Sequence, residues 1–296
     1  MQLPGGTYPG DDFDHACKIL NLGLTLTHML QNKGSSIHSQ AQDVDQLYAQ
    51  YRQRPLAFGY YRFRAYLCLA YFALFFALSY PFFRWTMAKP SRYRWGQRWR
   101  VVWAKSIAML FGIRVQIVGK VPDACPKLMI VANHFSYLDI PILVAALPLD
   151  LHFVAKAELL RFPFFRHFFR TMDIAIPRSS AQGSMKAYRR VEEFWKAGSA
   201  VVVFPEGGIL GQAPAMTAFR SSPFAVALQQ GATVLPVSLP DTWKILPECP
   251  RHFLRPGPCR VHLLEPQVPE SFLGDEKVLK NKCYELIRHD LIAHKS

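Results

Sequence analysis

The chain has no C-x-x-C pair, and none of its six cysteines, at positions 17, 68, 125, 249, 259 and 283, has a histidine at zinc-finger spacing. Cysteines scattered in this way read as free thiols in a reducing compartment and argue against a structural metal. A G-x-S-x-G elbow is also missing, as is a cysteine in a comparable turn, which removes the usual serine and cysteine nucleophiles. The first apolar stretch, Ile19 to Leu30, has no basic segment before it and carries Asn21, Thr25, Thr27 and His28, so it does not read as a secretory signal. Acids are scarce: 21 Asp and Glu stand against 35 Lys and Arg, a net charge of +14. That excess calls for an anionic partner, whether nucleic acid, a phospholipid surface or a phosphorylated substrate. Residues 1 to 54 carry four of the bases and five of the acids, leaving 31 and 16 downstream, so the basic character lies beyond Arg54.

Charge is absent from the nineteen residues Ala65 to Phe83, AYLCLAYFALFFALSYPFF, with Arg62 and Arg64 before them and Arg84 after. About 20 apolar residues are what a helix needs to cross a bilayer, and a buried core helix is the competing reading. From Arg84 to Lys105 there is no acid, while Trp85, Tyr93, Trp95, Trp99 and Trp103 are interleaved with bases. Such aromatics suit a membrane interface or stacking on single-stranded nucleic acid. The second leaves the apolar run unexplained, so no nucleic-acid partner is expected. The positive-inside tendency places the downstream part on the cytoplasmic face, the inner membrane in a bacterium, while a shallow anchor fits the two-sided charge nearly as well.

The expected organisation is a polar region over 1–60, with one or two short helices and no assigned role, an anchor over 61–88, and a catalytic domain over 89–296. Beyond Gly112, VQIVG, LMIVAN, HFVAK, IAIPR, AVVVF and VLPVSLP read as strands. Helices are expected through IPILVAAL, near AELLRFPFFRHFF, through KAYRRVEEFWKAG and at SPFAVALQQG, with Gly198 and Gly231 as C-caps. This alternation predicts an α/β fold, a mixed β-sheet flanked by helices, with an N-terminal membrane-associated helix.

The stretch VANHFSYLDIP, Val131 to Pro141, holds the chemistry. LMIVAN reads as a strand, His134 and Phe135 as a turn, and Ser136 as the start of a helix, with S-x-x-D to Asp139 as a capping box. Helical side chains lean toward the N-terminus, so Asp139 points at the loop carrying His134. There it can accept the Nδ1 proton and leave Nε2 as a base. His38 and Asp43 repeat the spacing in a polar setting, without strand or apolar helix, and read as coincidence.

The segment NHFSYLD resembles the NHxSxxD signature of the glycerolipid acyltransferases, the superfamily containing 1-acylglycerol-3-phosphate acyltransferase. VAKAEL, DIAIPR, FPEGG and FRSSPFAVALQQG with VLPV follow in order, so the resemblance covers roughly residues 90 to 245. It implies acyl transfer from acyl-CoA or acyl carrier protein, as co-substrate and without a cofactor or metal, to the hydroxyl of a lysolipid at a phospholipid membrane. His134 would take the hydroxyl proton and Asp139 would balance the imidazolium. Arg178, Glu206, Gly207 and Gly208 would bind the acceptor, Glu206 alternatively ordering the site, with Asn133, Ser136 and Lys156 in support. FPEGTRS is the usual third block, but FPEGGIL stands here, without its phosphate-holding arginine. Met172 stands where a glycine is customary. These departures admit acceptors such as a lyso-ornithine lipid. FPFFRHFFR, with Arg161, Arg166, His167 and Arg170 among phenylalanines, reads as an interfacial helix or as core. A catalytically silent lipid-binding protein of the same fold is the alternative.

Overall fold

The computed structural model describes residues 42–123, 125–156, 171–176, 181–209, 213–247 and 253–294, apart from the side chains of 42–45, 156, 181–186 and 188. Among these residues seven strands form one sheet: β1 (Ile113–Val118), β2 (Leu128–Ala132), β3 (Leu151–Lys156), β4 (Ile174–Ile176), β5 (Ala200–Val203), β6 (Thr233–Ser238) and β7 (Gly257–Leu263). Their order is β1-β7-β6-β2-β5-β3-β4, with every pair parallel except β6 with β7. The described helices are α1 (Gln42–Arg52), α2 (Pro55–Met87), α3 (Tyr93–Leu110), α4 (Asp139–Ala146), α5 (Ala181–Lys196), α6 (Ser222–Gln230), the single turn α7 (Thr242–Ile245) and α8 (Glu276–Ala293).

Alternation along the central strands sorts the helices into two layers. Leu128, Ile130 and Ala132 of β2, with Ala200 and Val202 of β5, face a core shared with α2, α3 and α4. Met129, Val131, Val201 and Val203 face the other way, toward α5, α6 and α8. All of β2 and β5 is buried, which is why these runs are continuously apolar: a parallel strand covered on both faces has no solvent side to mark with polar residues. Gly231 ends α6 at φ +61°, in the left-handed conformation expected of a C-cap glycine.

The apolar run belongs to a helix of 33 residues that begins at Pro55, ahead of the boundary expected at residue 61. Its neighbour α3 departs further from the sequence reading. The basic aromatic segment is an ordered helix whose Trp103 and Arg100 are buried in the core instead of lying among headgroups. Trp103 meets Phe76 edge-on at 5.0 Å, and Trp99 Nε1 donates to Ser79 Oγ at 2.8 Å. Arg100 pairs with Asp173 at 3.1 Å, and the same carboxylate oxygen accepts the Phe153 N–H at 2.9 Å. Gly96 lets α3 approach Met172: a Cβ there would stand 2.9 Å from its sulfur, so the large residue in the second block is matched by a missing side chain in α3.

Strand β7, helix α8 and the single turn α7 had no counterpart in the sequence reading. Strand β7 lies between β1 and β6. Helix α8, capped by Asp275 accepting from the N–H groups of Lys277 and Val278, buries Leu279, Cys283, Ile287 and Leu291 at intervals of four. His262 Nδ1 meets Asp290 Oδ1 at 2.8 Å and ties β7 to α8. The four described cysteines, Cys68, Cys125, Cys259 and Cys283, are unpaired, and burial pushes the Cys283 thiol up to about 12.

Candidate active site

The chain leaves β2 toward one side of the sheet, returns through β5 and crosses to β6 on the other side. The carboxyl end of β2 is therefore flanked by the carboxyl ends of both neighbours, the crevice where open α/β sheets place their ligands. Asn133 continues β2 and is fully buried. Its side chain replaces the next rung of the ladder: Nδ2 donates to Leu239 O at 3.1 Å, and Oδ1 accepts from Leu239 N at 2.8 Å. This clamp sets the point at which the chain turns out of the sheet.

His134 comes next. Its Nδ1 lies 2.8 Å from Asp139 Oδ2, the same oxygen that accepts the N–H groups of Phe135 at 2.8 Å and Ser136 at 2.9 Å. Three donors converging on one buried oxygen hold the turn and the ring together. With the Nδ1 proton given to Asp139, the Nε2 lone pair is left for chemistry. The imidazole stacks on Phe204 at 4.0 Å and 15°, and its side chain is 14% exposed. Asp139 is wholly buried, and its Oδ1 meets no donor among the described residues.

The helix start differs from the expected one. Helix α4 begins at Asp139, three residues after Ser136, and only one arm of the capping box forms, Ser136 N–H to the Asp139 carboxylate. The Ser136 hydroxyl instead donates to Leu246 O at 2.6 Å and accepts from Leu138 N at 3.1 Å. Ser136 thereby ties the histidine turn to the segment after α7. The tertiary carbonyl wins because the buried Leu246 oxygen needs a donor, and a carbonyl left unpaired costs about 1–3 kcal/mol.

Glu206 lies three residues beyond β5. Its Oε1 accepts the His134 N–H at 2.8 Å, and its Oε2 accepts from Thr217 N at 2.8 Å and Thr217 Oγ at 3.2 Å. Both oxygens are engaged by protein, so Glu206 acts here by ordering the histidine turn. Burial lifts its carboxyl above the usual range, opposed by the hydrogen bonds from Thr217 and His134. Gly207 takes φ +85° just after it, and Gly208 follows, half-buried, at the mouth.

The structure thus brings Asn133, His134, Ser136, Asp139, Glu206, Gly207 and Gly208 to one edge of the sheet. Lys156 closes β3 at the same edge, its side chain outside the described residues. Arg178, the segment FPFFRHFFR and His38 also lie outside them. Sequence reasoning missed Thr217 and the stacking role of Phe204. Thr217 sits between apolar residues in AMTAF, and nothing local distinguishes it.

A histidine held by a buried carboxylate at the ends of parallel strands makes this an α/β domain arranged for general-base chemistry. Comparison with known proteins gives the family. Residues 113–240 match the Acyltransferase family. A chloroplastic 1-acyl-sn-glycerol-3-phosphate acyltransferase of Arabidopsis thaliana is 28% identical over 172 residues, 56% of this chain and 46% of that one. A lyso-ornithine lipid O-acyltransferase of Brucella abortus is 32% identical over 114 residues, 38% of this chain and 42% of that one. The chain thus spans about half the length of the curated relatives it matches. The crystal structure of the 1-acyl-sn-glycerophosphate acyltransferase PlsC from Thermotoga maritima superposes with a TM-score of 0.61 at 24% identity, covering 79% of this chain and 97% of that one; it shows the shared fold. The part of this chain that holds the site, residues 113–240, is therefore similar to the acyltransferases of glycerolipids.

Proposed function

We propose that this protein is a membrane-bound O-acyltransferase that moves a fatty acyl group from acyl-CoA or acyl carrier protein to the hydroxyl of a lysolipid. The observation that carries the reading is the His134–Asp139 pair with its Nε2 lone pair free. As the acceptor oxygen attacks the thioester carbonyl, Nε2 takes the hydroxyl proton and Asp139 balances the imidazolium. The new ester C–O bond forms, the C–S bond breaks, and the departing thiolate receives the proton from Nε2. No covalent enzyme intermediate is needed, and the donor is a co-substrate. The names of the relatives support a lysolipid acceptor, 1-acylglycerol-3-phosphate or a lyso-ornithine lipid. Arg178 and the Gly207–Gly208 backbone would contact its headgroup, with Lys156 beside them.

The long helix supports attachment to a membrane, by spanning it or by lying on it. Ala65 to Met87 of α2 are buried at intervals against the body of the domain, and Arg64 reaches the carbonyls of Phe111 and Leu254. The outer side of α2 shows Tyr60, Phe63, Leu67, Leu74, Leu78 and Trp85 at spacings of three, four and seven, a stripe suited to lipid.

The test is mass spectrometry of products from purified protein in detergent, given either donor and a panel of lysolipids, beside His134→Ala. A new acylated lipid from the unmutated protein alone is expected, and it names the acceptor. No product with any donor, from folded protein, would favour the silent lipid-binding alternative.

A further inference from the structure

We infer that Arg220 holds the anionic headgroup of the acceptor, a phosphate monoester or an amino-acid carboxylate, from the far side of the FPEGG turn. The inference rests on the acyl-transfer reading and adds the substrate class. The third block of this chain carries Gly208, Ile209 and Leu210 and so supplies no cation. The fold brings one to the same turn from the strand-to-helix loop ahead of α6. A Cβ on Gly207 would stand 2.6 Å from Arg220 Nε and 3.0 Å from its Cζ and Nη2, so the guanidinium lies directly on the glycine backbone. The Arg220 N–H donates to Pro205 O at 3.0 Å, which ties its main chain to the same turn.

The charge there is not spent among the described residues. Glu206, one residue from Gly207, has both oxygens engaged by His134 and Thr217. Among the described residues no carboxylate lies within ion-pair distance of Arg220, and its guanidinium makes no side-chain hydrogen bond. Arg220 is exposed, yet it is seated on a surface that any side chain at position 207 would disturb. The turn it covers is the one whose carboxylate accepts the His134 N–H, so the guanidinium and the histidine are joined to the same short segment. A planar fork of donors in that place suits the paired oxygens of a phosphate or carboxylate.

The experiment compares the full chain with Arg220→Ala, Arg220→Lys and Gly207→Ala in detergent micelles. The acceptors are lysophosphatidate, a lyso-ornithine lipid and uncharged monoacylglycerol. For the anionic acceptor that the protein uses, Arg220→Ala is expected to raise KM about tenfold to a hundredfold. The donor KM stays put, and the loss on monoacylglycerol is at least tenfold smaller. Arg220→Lys recovers part of the affinity, and Gly207→Ala, which displaces the guanidinium, reproduces the loss. Whichever anionic lipid shows the effect identifies the headgroup. An equal loss on the neutral acceptor, or no change on the anionic ones, overturns the assignment. Binding of the same lipids to His134→Ala, with and without Arg220→Ala, is then titrated by fluorescence. At least tenfold weaker binding without Arg220 supports the assignment even if no donor gives turnover, in which case the acyl-transfer reading alone fails. Unchanged binding overturns the role of Arg220 whatever the turnover.

Discussion

Two histidines in this molecule each hold an aspartate through Nδ1 at 2.8 Å. His134 meets Asp139 within a single turn at the carboxyl end of β2, and His262 meets Asp290 across 28 residues, between β7 and α8. By their shortest contact the two are alike, although His262 Nδ1 also lies 2.9 Å from the second oxygen of Asp290. They differ in what surrounds them. The Asp139 oxygen also gathers two N–H groups of the turn, so the pair and the local backbone form one unit, and that unit is braced by Glu206 from the adjacent strand. Asp290 instead lies near a second imidazole: its carbonyl accepts from His294 at 2.9 Å, and the two rings meet edge-on at 4.4 Å. A histidine–aspartate contact is therefore no signature by itself. Its place at the ends of parallel strands, beside an ordering carboxylate, is what makes one of the two a candidate base.

The sharpest way to test this contrast is at the bases themselves. His134→Ala should cost about a hundredfold to ten-thousandfold in turnover, measured as product per folded molecule. Its unfolding free energy should change by about 1 kcal/mol or less, because Asp139 Oδ2 keeps two donors. Asp139→Asn should lose turnover on a similar scale.

A third histidine extends the comparison. His152, on β3, is buried against Phe194 with Nδ1 on the Met172 carbonyl, and burial lowers its pKa to about 4, with Arg100 and Arg190 acting the same way and Asp173 opposing. Because the folded value is depressed, the unfolded chain takes the proton first. Stability should fall as pH drops from about 6.5 to about 4, by at most roughly 3 kcal/mol. Denaturant titrations across that range should show the slope in the unmutated protein and a flatter one in His152→Gln.

His262→Ala should lower stability by about 1–2 kcal/mol, since it leaves a largely buried carboxylate, among the described residues, with only the longer contact to His294, at 3.4 Å. Turnover per folded molecule should stay as it was. A loss of turnover comparable to that of His134→Ala would erase the distinction between the pairs. The smallest effect is expected at Asp275→Ala, which removes the N-cap of the helix carrying Asp290. Thermal unfolding should register about 1 kcal/mol, with no change in acceptor KM.

Much of the fold was legible because the central strands are apolar on both faces and the helices between them are periodic. The part lost was the last fifty residues and α3. In α3 the bases and tryptophans suggested a lipid surface, yet Arg100 and Trp103 serve the core. A charge can be buried when a partner such as Asp173 waits 73 residues away, and no local pattern announces that partner. Met172 makes the same point in packing: its departure from the family pattern is absorbed by Gly96, which only the folded chain places beside it.

The amino-acid sequence by itself determined the sheet-forming segments, the apolar helix and the meeting of His134 with Asp139, because five residues across one turn leave little freedom for where a short side chain can reach. Tertiary structure alone decided what holds that pair in place. Asn133 closes on Leu239 across 106 residues, Ser136 reaches Leu246 across 110, and Glu206 joins His134 to Thr217. In each case the side chain is met by a main-chain N–H or C=O. Nearly every residue carries those groups, so the partner leaves no mark in the sequence, and the fold must bring it into position before it can be known.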